Sequence, residues 1–192
     1  MRVHGSIKIT RRSNIDKKPY DQYLDELSED FHHICGYCGK SEVVTTKGFE
    51  IDHFVPQTVS TELKDEYQNL VYSCFTCNRK KGSKWPTCNP AIKNNGTVGF
   101  VDPASEEYDK HLMRDESGKI IYKTPLGQYL CNIAFKFNNR PTDVIWKAMK
   151  IVELKQQLQT KISKLSPYEM KEYIEIDTEL SSLMKYIFKK KE

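Results

Sequence analysis

Hydrophobic positions along this chain recur with different periods, and each stretch predicts a different element. Residues 6–12, Ser-Ile-Lys-Ile-Thr-Arg-Arg, alternate apolar and basic side chains, the pattern of a short half-buried strand or an extended arm. After Pro19, residues Tyr20, Tyr23, Leu24, Leu27 and Phe31 return at helical spacing and predict an amphipathic helix over 19–31 with an acidic outer face. Val43-Val44-Thr45-Thr46 and Phe49-Glu50-Ile51-Asp52-His53-Phe54, joined by Lys47-Gly48, predict a β-hairpin that Pro56 closes. Residues 57–73 read as irregular or weakly helical, and Cys74 to Lys81 as two helical turns ended by Gly82.

The second half is simpler. Pro86, Asn89, Pro90, Asn94, Asn95, Gly96 and Gly99 predict a loop over 85–99, and Asp115-Glu116-Ser117-Gly118-Lys119 a turn within a small β element around 110–123. From Thr142 to about Ser163, Val144, Ala148, Ile151, Leu158, Ile162 and Leu165 fall at steps of three and four, with Lys155 interrupting. Ser166-Pro167-Tyr168-Glu169 then supplies a cap, a first-turn proline and a capping glutamate. Tyr173, Ile176, Leu180, Leu183 and Ile187 continue a stripe to Lys189-Lys190-Lys191, which predicts an antiparallel helical hairpin.

Composition narrows the class. At ~150 residues per domain, 192 residues predict one domain, or one with an extension. The N-terminal residues Met1 to Lys8 contain no apolar h-region, and no apolar run approaches the ~20 residues of a bilayer span, so a cytoplasmic protein with no membrane partner is expected. The net charge of +4 is modest but unevenly spread: Arg11 and Arg12 belong to a basic N-terminal stretch, Arg79, Lys80, Lys81 and Lys84 to a second cluster, and an acidic helix lies between. Such patches can follow a phosphate backbone, and they equally suit a solvated surface.

Six cysteines in a reducing compartment point to metal before disulfides. Cys35-Gly-Tyr-Cys38 and Cys74-Phe-Thr-Cys77 are two C-x-x-C pairs, and four thiolates are what a closed structural zinc site requires. Cys88 and Cys131 lack partner spacing and read as ordinary thiols; His32 and His33 read as capping or solvated. The 35 residues between Cys38 and Cys74 exceed the ~15–20 of a zinc ribbon, so something is inserted there, and it contains Asp52-His53.

The pattern Cys35-x-x-Cys38, Asp52-His53-x-x-Pro56, Asn69, Cys74-x-x-Cys77-Asn78-x-x-Lys81-Gly82 resembles the zinc-containing branch of the HNH endonucleases. The resemblance covers roughly 34–83, with Asp52 and Asn78 standing where the literal motif has histidines. It implies an α+β chain: a ββα-metal finger stapled by a four-cysteine zinc site, with a C-terminal α-helical hairpin, divided into a nuclease domain over 1–140 and an extension over 141–192. It further implies hydrolysis of phosphodiester bonds, in DNA before RNA, with His53 as general base and Asn69 orienting its ring. Asp52 and Asn78 would hold a catalytic Mg²⁺ or Mn²⁺ through hard oxygen atoms. Lys81, three residues after Asn78, would reach a phosphate, with Arg79, Lys80, Lys84, Arg11 and Arg12 contacting the backbone. Glu50 reads as a solvated strand residue or an extra carboxylate near the metal.

Restriction or antiphage defence, sometimes beside a partner ATPase, is the setting the resemblance suggests, with the C-terminal helices serving a protein partner or a homodimer. One rival reading is a noncatalytic zinc module that binds nucleic acid, which leaves Asp52-His53, Asn69 and Asn78 unexplained; another is a partner-activated subunit of a larger complex, which can coexist with nuclease activity. A zinc nucleobase deaminase is excluded, because Ser73 replaces the required proline and no His-x-Glu occurs.

Overall fold

The computed structural model describes residues 1–160 and 165–189. After an extended N-terminal arm, a 3-10 turn over Tyr20–Tyr23 leads into helix α1, Leu24–Asp30. Tyr23, Leu27 and Phe31, spaced by four, are buried, while Asp21, Asp25 and Glu26 crowd the N-terminal turns where the helix dipole favours negative charge. The arm over 6–12 pairs with no strand; its anchors are side chains. Arg11 forks onto Asp102 at 2.9 and 3.0 Å, and Arg12 onto Asp30 and Glu29, both at 2.8 Å.

The two-stranded sheet differs from the expected hairpin. Strand β1, Phe49–His53, pairs antiparallel with β2, Leu70–Cys74, in the register Phe49↔Cys74 to His53↔Leu70. The β-prone Val43-Val44 instead lies in a 3-10 turn, Glu42–Val44, capped by Ser41. Val44 is buried in a separate apolar cluster with Ile145, Trp146 and Met149, which draws this segment away from β1. Residues 70–73, expected to be irregular or weakly helical, and Cys74, expected to begin the helix, form a strand buried at every position, so no polar alternation marks it. Helix α2, Phe75–Lys81, follows directly and ends at Gly82, whose φ of +51° suits glycine. Strand, strand and helix together make the ββα unit.

A loop over 85–99 and a short helix α3, Tyr108–His111, lead to the hairpin of β3, Leu112–Arg114, and β4, Ile120–Tyr122, where a small β element was expected. Helix α4, Pro125–Tyr129, continues into a π turn, Leu130–Ala134. Helix α5, Thr142–Gln159, begins against this core: a Cβ on Gly118 would lie 2.3 Å from Trp146 Cδ1, so the β3–β4 turn can approach the indole only as glycine. Helix α6, Pro167–Lys189, starts with the expected capping box, Ser166 N to Glu169 Oε2 at 2.8 Å and Glu169 N to Ser166 Oγ at 3.3 Å. It runs back along α5, pairing Asp177 with Lys155 and Tyr173 with Gln159. Ile162, Ser163, Lys190 and Lys191 lie outside the described residues. Among the described residues, no helix is long and apolar enough to cross a membrane.

Candidate active site and metal centre

The ββα unit carries a different site at each end of its ladder. Cys35 and Cys38 sit on the turn after α1, Cys74 ends β2, and Cys77 lies in the first turn of α2. All four are buried, unpaired by disulfides, and bring their Sγ atoms within 4.8 Å of one another. Cys38 Sγ and Cys74 Sγ are 3.8 Å apart. Zn–S bonds of about 2.3 Å at a tetrahedral centre require an S–S edge of about 3.8 Å, so the donor set and its spacing both fit zinc. Cys88 is exposed and Cys131 buried, neither in the cluster, and His32 and His33 are exposed, His33 Nδ1 lying 3.1 Å from Glu42.

At the other end, Ile51, Asp52, His53, Pro56, Gln57, Thr58, Asn78 and Gly82 line an open cleft of about 200 Å³. His53, 9% exposed, packs edge-on against Tyr20 with ring centroids 4.7 Å apart. Its Nε2 lies 2.9 Å from the Lys64 carbonyl, which can only accept, so Nε2 carries the proton. Nδ1 is then the basic nitrogen, and the Gln57 amide donates to it at 3.2 Å. Burial lowers the His53 pKa below 6.5, against the Lys64 carbonyl and the Asp52 charge, which raise it.

Among the described hydrogen bonds of Asn69, none goes to this ring. Its Oδ1 accepts from Val55 N at 2.8 Å, and its Nδ2 donates to the Val55 and Leu63 carbonyls, both at 3.1 Å. It thereby clamps the loop that presents the Lys64 carbonyl to His53, an indirect route in place of the contact expected.

Asp52, 5% exposed, accepts from Tyr37 Oη and pairs with Lys81 Nζ at 3.1 Å. Lys81 is 0% exposed and also donates to the His53 carbonyl at 2.6 Å. The expectation that Lys81 reaches a phosphate is therefore corrected: its ammonium points inward, because Asp52 offers the charge it needs and α2 packs that face onto β1. Burial pushes the Asp52 pKa up and the Lys81 pKa down, and the attraction between the two charges opposes both shifts. Asp52 and His53 are neighbours on β1, and neighbouring side chains leave a regular strand on opposite faces. Lys81 grips both, by the carboxylate of one and the carbonyl of the other.

Asn78 Nδ2 donates to Glu50 Oε2 at 2.6 Å, leaving Oδ1 as the atom able to face a cation. Glu50 is half-buried and tied to Asn78 rather than solvated. Of the basic residues singled out, Lys80 and Lys84 are exposed, and Arg79 is exposed across the Phe75 ring, 3.7 Å from Glu50. Arg11, whose side chain is 4% exposed, is spent on Asp102 and the Leu70 carbonyl, and Arg12 on Asp30 and Glu29. Both are held by carboxylates of the protein itself, Arg11 buried and Arg12 partly exposed. Sequence reading missed Tyr37, Gln57 and Lys64; Gln57, four residues after His53, had a local signal in its spacing, whereas the other two act through tertiary contacts.

Comparison with known proteins agrees with the geometry. Residues 35–84 match the family model described as HNH endonuclease. The Septu protein PtuB of Bacillus thuringiensis is 34% identical over 79 residues, covering 39% of this chain and 30% of that protein. The chain thus spans under a third of that relative's length. No solved structure matches. The four-cysteine cluster, the ββα topology and the Asp52-His53 cleft all fall inside residues 35–84, the segment that matches the HNH endonuclease model.

Proposed function

We propose that this protein is a metal-dependent endonuclease that hydrolyses phosphodiester bonds in nucleic acid, DNA in preference to RNA, with His53 as general base. The observation carrying the reading is the His53 ring: Nε2 is committed to the Lys64 carbonyl, which leaves Nδ1 unprotonated, and His53 lines a cleft together with Asp52 and Asn78. Nδ1 takes the proton of the attacking water once Gln57 yields its place. Asn69 acts as a positioning residue through the loop that carries Lys64. Asp52 and Asn78 would hold Mg²⁺ or Mn²⁺ through carboxylate and amide oxygens, Asp52 by sharing a carboxylate that Lys81 and Tyr37 also contact; when bound, that ion would supply charge stabilisation at the leaving oxygen. Arg79, Lys80 and Lys84, on and just after α2, contact backbone phosphates.

The preference for DNA and a role in antiphage defence follow from the family resemblance, and the similarity to Septu protein PtuB supports the second. Exposed Tyr168, Ile174 and Tyr186 on α6 support docking of a protein partner or a second copy along the C-terminal helices. The test is plasmid nicking and linearisation by wild type and His53→Ala across Mg²⁺ and Mn²⁺ concentrations, with equal zinc content in both. Cleavage should vanish in the variant. A wild type that binds DNA and zinc and never cuts would replace this reading with that of a noncatalytic or partner-activated module.

A further inference from the structure

The first C-x-x-C turn is held from outside residues 35–84. Three consecutive carbonyls each meet a distant side chain: Gly36 O faces His4 Nε2 at 2.5 Å, Tyr37 O accepts from Tyr108 Oη at 2.6 Å, and Cys38 O accepts from Arg114 Nη2 at 2.6 Å. The sulfurs receive a fourth. Arg140, half-buried with its guanidinium turned inward, places Nη1 3.2 Å from Cys77 Sγ and Nη2 3.7 Å from Cys38 Sγ.

Two of these four carry fixed positive charge, and their partners are unusual. Arg114 is 1% exposed and otherwise donates to the carbonyls of Val3, Gly118 and Thr142. Arg140 otherwise meets the Phe135 carbonyl and the Phe137 ring. Among the described residues, neither forms an ion pair with a carboxylate. A desolvated guanidinium without a counter-anion is strongly unfavourable, so an anion is to be sought nearby. Zn²⁺ with four thiolates supplies one, because its net charge is negative and resides on the sulfurs.

We propose that Arg140 is part of the zinc centre, as the hydrogen-bond donor that compensates thiolate charge on Cys77 and Cys38, with Arg114 adding a second positive charge through the Cys38 carbonyl. The proposal rests on the four-cysteine zinc reading. The metal centre is then completed by residues 108–140 and not by 35–84 alone, and zinc retention is coupled to the docking of the segment that leads into α5. Outer partners of metal ligands commonly change metal retention by about 10–100-fold.

The experiment uses the full chain. Zinc transfer to a chromogenic chelator, 4-(2-pyridylazo)resorcinol, is timed for wild type, Arg140→Lys and Arg140→Gln. In parallel, iodoacetamide alkylation of each cysteine is followed by peptide mass spectrometry, with exposed Cys88 as the internal reference. Zinc loss should be about tenfold faster or more in the glutamine variant and intermediate in the lysine variant. Alkylation should accelerate first at Cys77 and Cys38, a selectivity that general loosening does not produce. Should the glutamine variant not fold, the lysine variant decides by the same two readouts. Zinc loss unchanged from wild type, or equal acceleration at all four cysteines, overturns the proposal. A wild type without zinc overturns the zinc reading as well, which separates the two failures.

Discussion

The two ends of one short ladder have opposite characters. At the Phe49↔Cys74 end four buried sulfurs converge, and every ligand position is taken within the protein. At the His53↔Leu70 end, four residue steps or about 13 Å away, His53 and Asn78 line an open cleft. The closed end is suited to holding shape and the open end to chemistry. They are joined by α2, in which Asn78 directly follows Cys77 and Lys81 completes the turn. A residue lining the cleft is one peptide bond from a cluster cysteine, so disturbing the closed end should disturb the open one, whereas the reverse should not hold.

The largest expected effect comes from breaking the closed end. Structural zinc contributes on the order of 10 kcal/mol to small domains that fold around it, so stripping zinc with a chelator, or replacing Cys77 with Ser, should melt residues 35–84 and abolish cleavage together. Stripped protein that melts at the temperature of the zinc-loaded form would remove the basis of the comparison. The converse comes next: His53→Ala should lower cleavage by about 10²–10⁴-fold while leaving zinc content intact. Loss of zinc in that variant would show that the two ends are not separable.

Lys81→Met acts between them. It leaves Asp52 buried without its cation and should cost about 3–5 kcal/mol in urea denaturation. Adding Asp52→Asn to the same protein should recover much of that loss, because the uncompensated charge is gone. No recovery would mean that Lys81 matters by its contact with the His53 carbonyl instead.

Which features were legible in the sequence follows from how local they are. Paired cysteines announce the cluster because each pair is a turn of four residues, and the capping box at Ser166 because its contacts span three positions. Strand Leu70–Cys74 was hidden because it is buried on both faces and shows no alternation, while Val43-Val44 looked like a strand although Val44 finds its neighbours in α5, a hundred residues away. Lys81 and Arg11 were misjudged for one shared reason. A basic residue in a basic stretch looks solvated until the fold brings Asp52 or Asp102 against it.

The smallest and most diagnostic effects are on pH, because a buried histidine stands near each end. Burial lowers the pKa of His53, so Nδ1 stays free of a proton below pH 6.5, and the acid limb of the cleavage profile should have its midpoint below that value. A midpoint above 6.5 would point to another base or to a ring that is not desolvated. His4, which faces the Gly36 carbonyl in the cysteine turn, is lowered by burial to about 4. The sign is the same for stability: between pH 6.5 and about 4 the unfolded chain binds a proton that the folded one refuses, so stability falls as the pH falls. For His4 the loss approaches about 3 kcal/mol once that window is crossed. His4→Gln keeps a donor for Gly36 but cannot titrate, so its denaturation free energy should fall less steeply across this window while the cleavage limb set by His53 stays where it was. If the variant instead shifted the cleavage limb and left the stability slope unchanged, the assignment of one histidine to each end would have to be reversed.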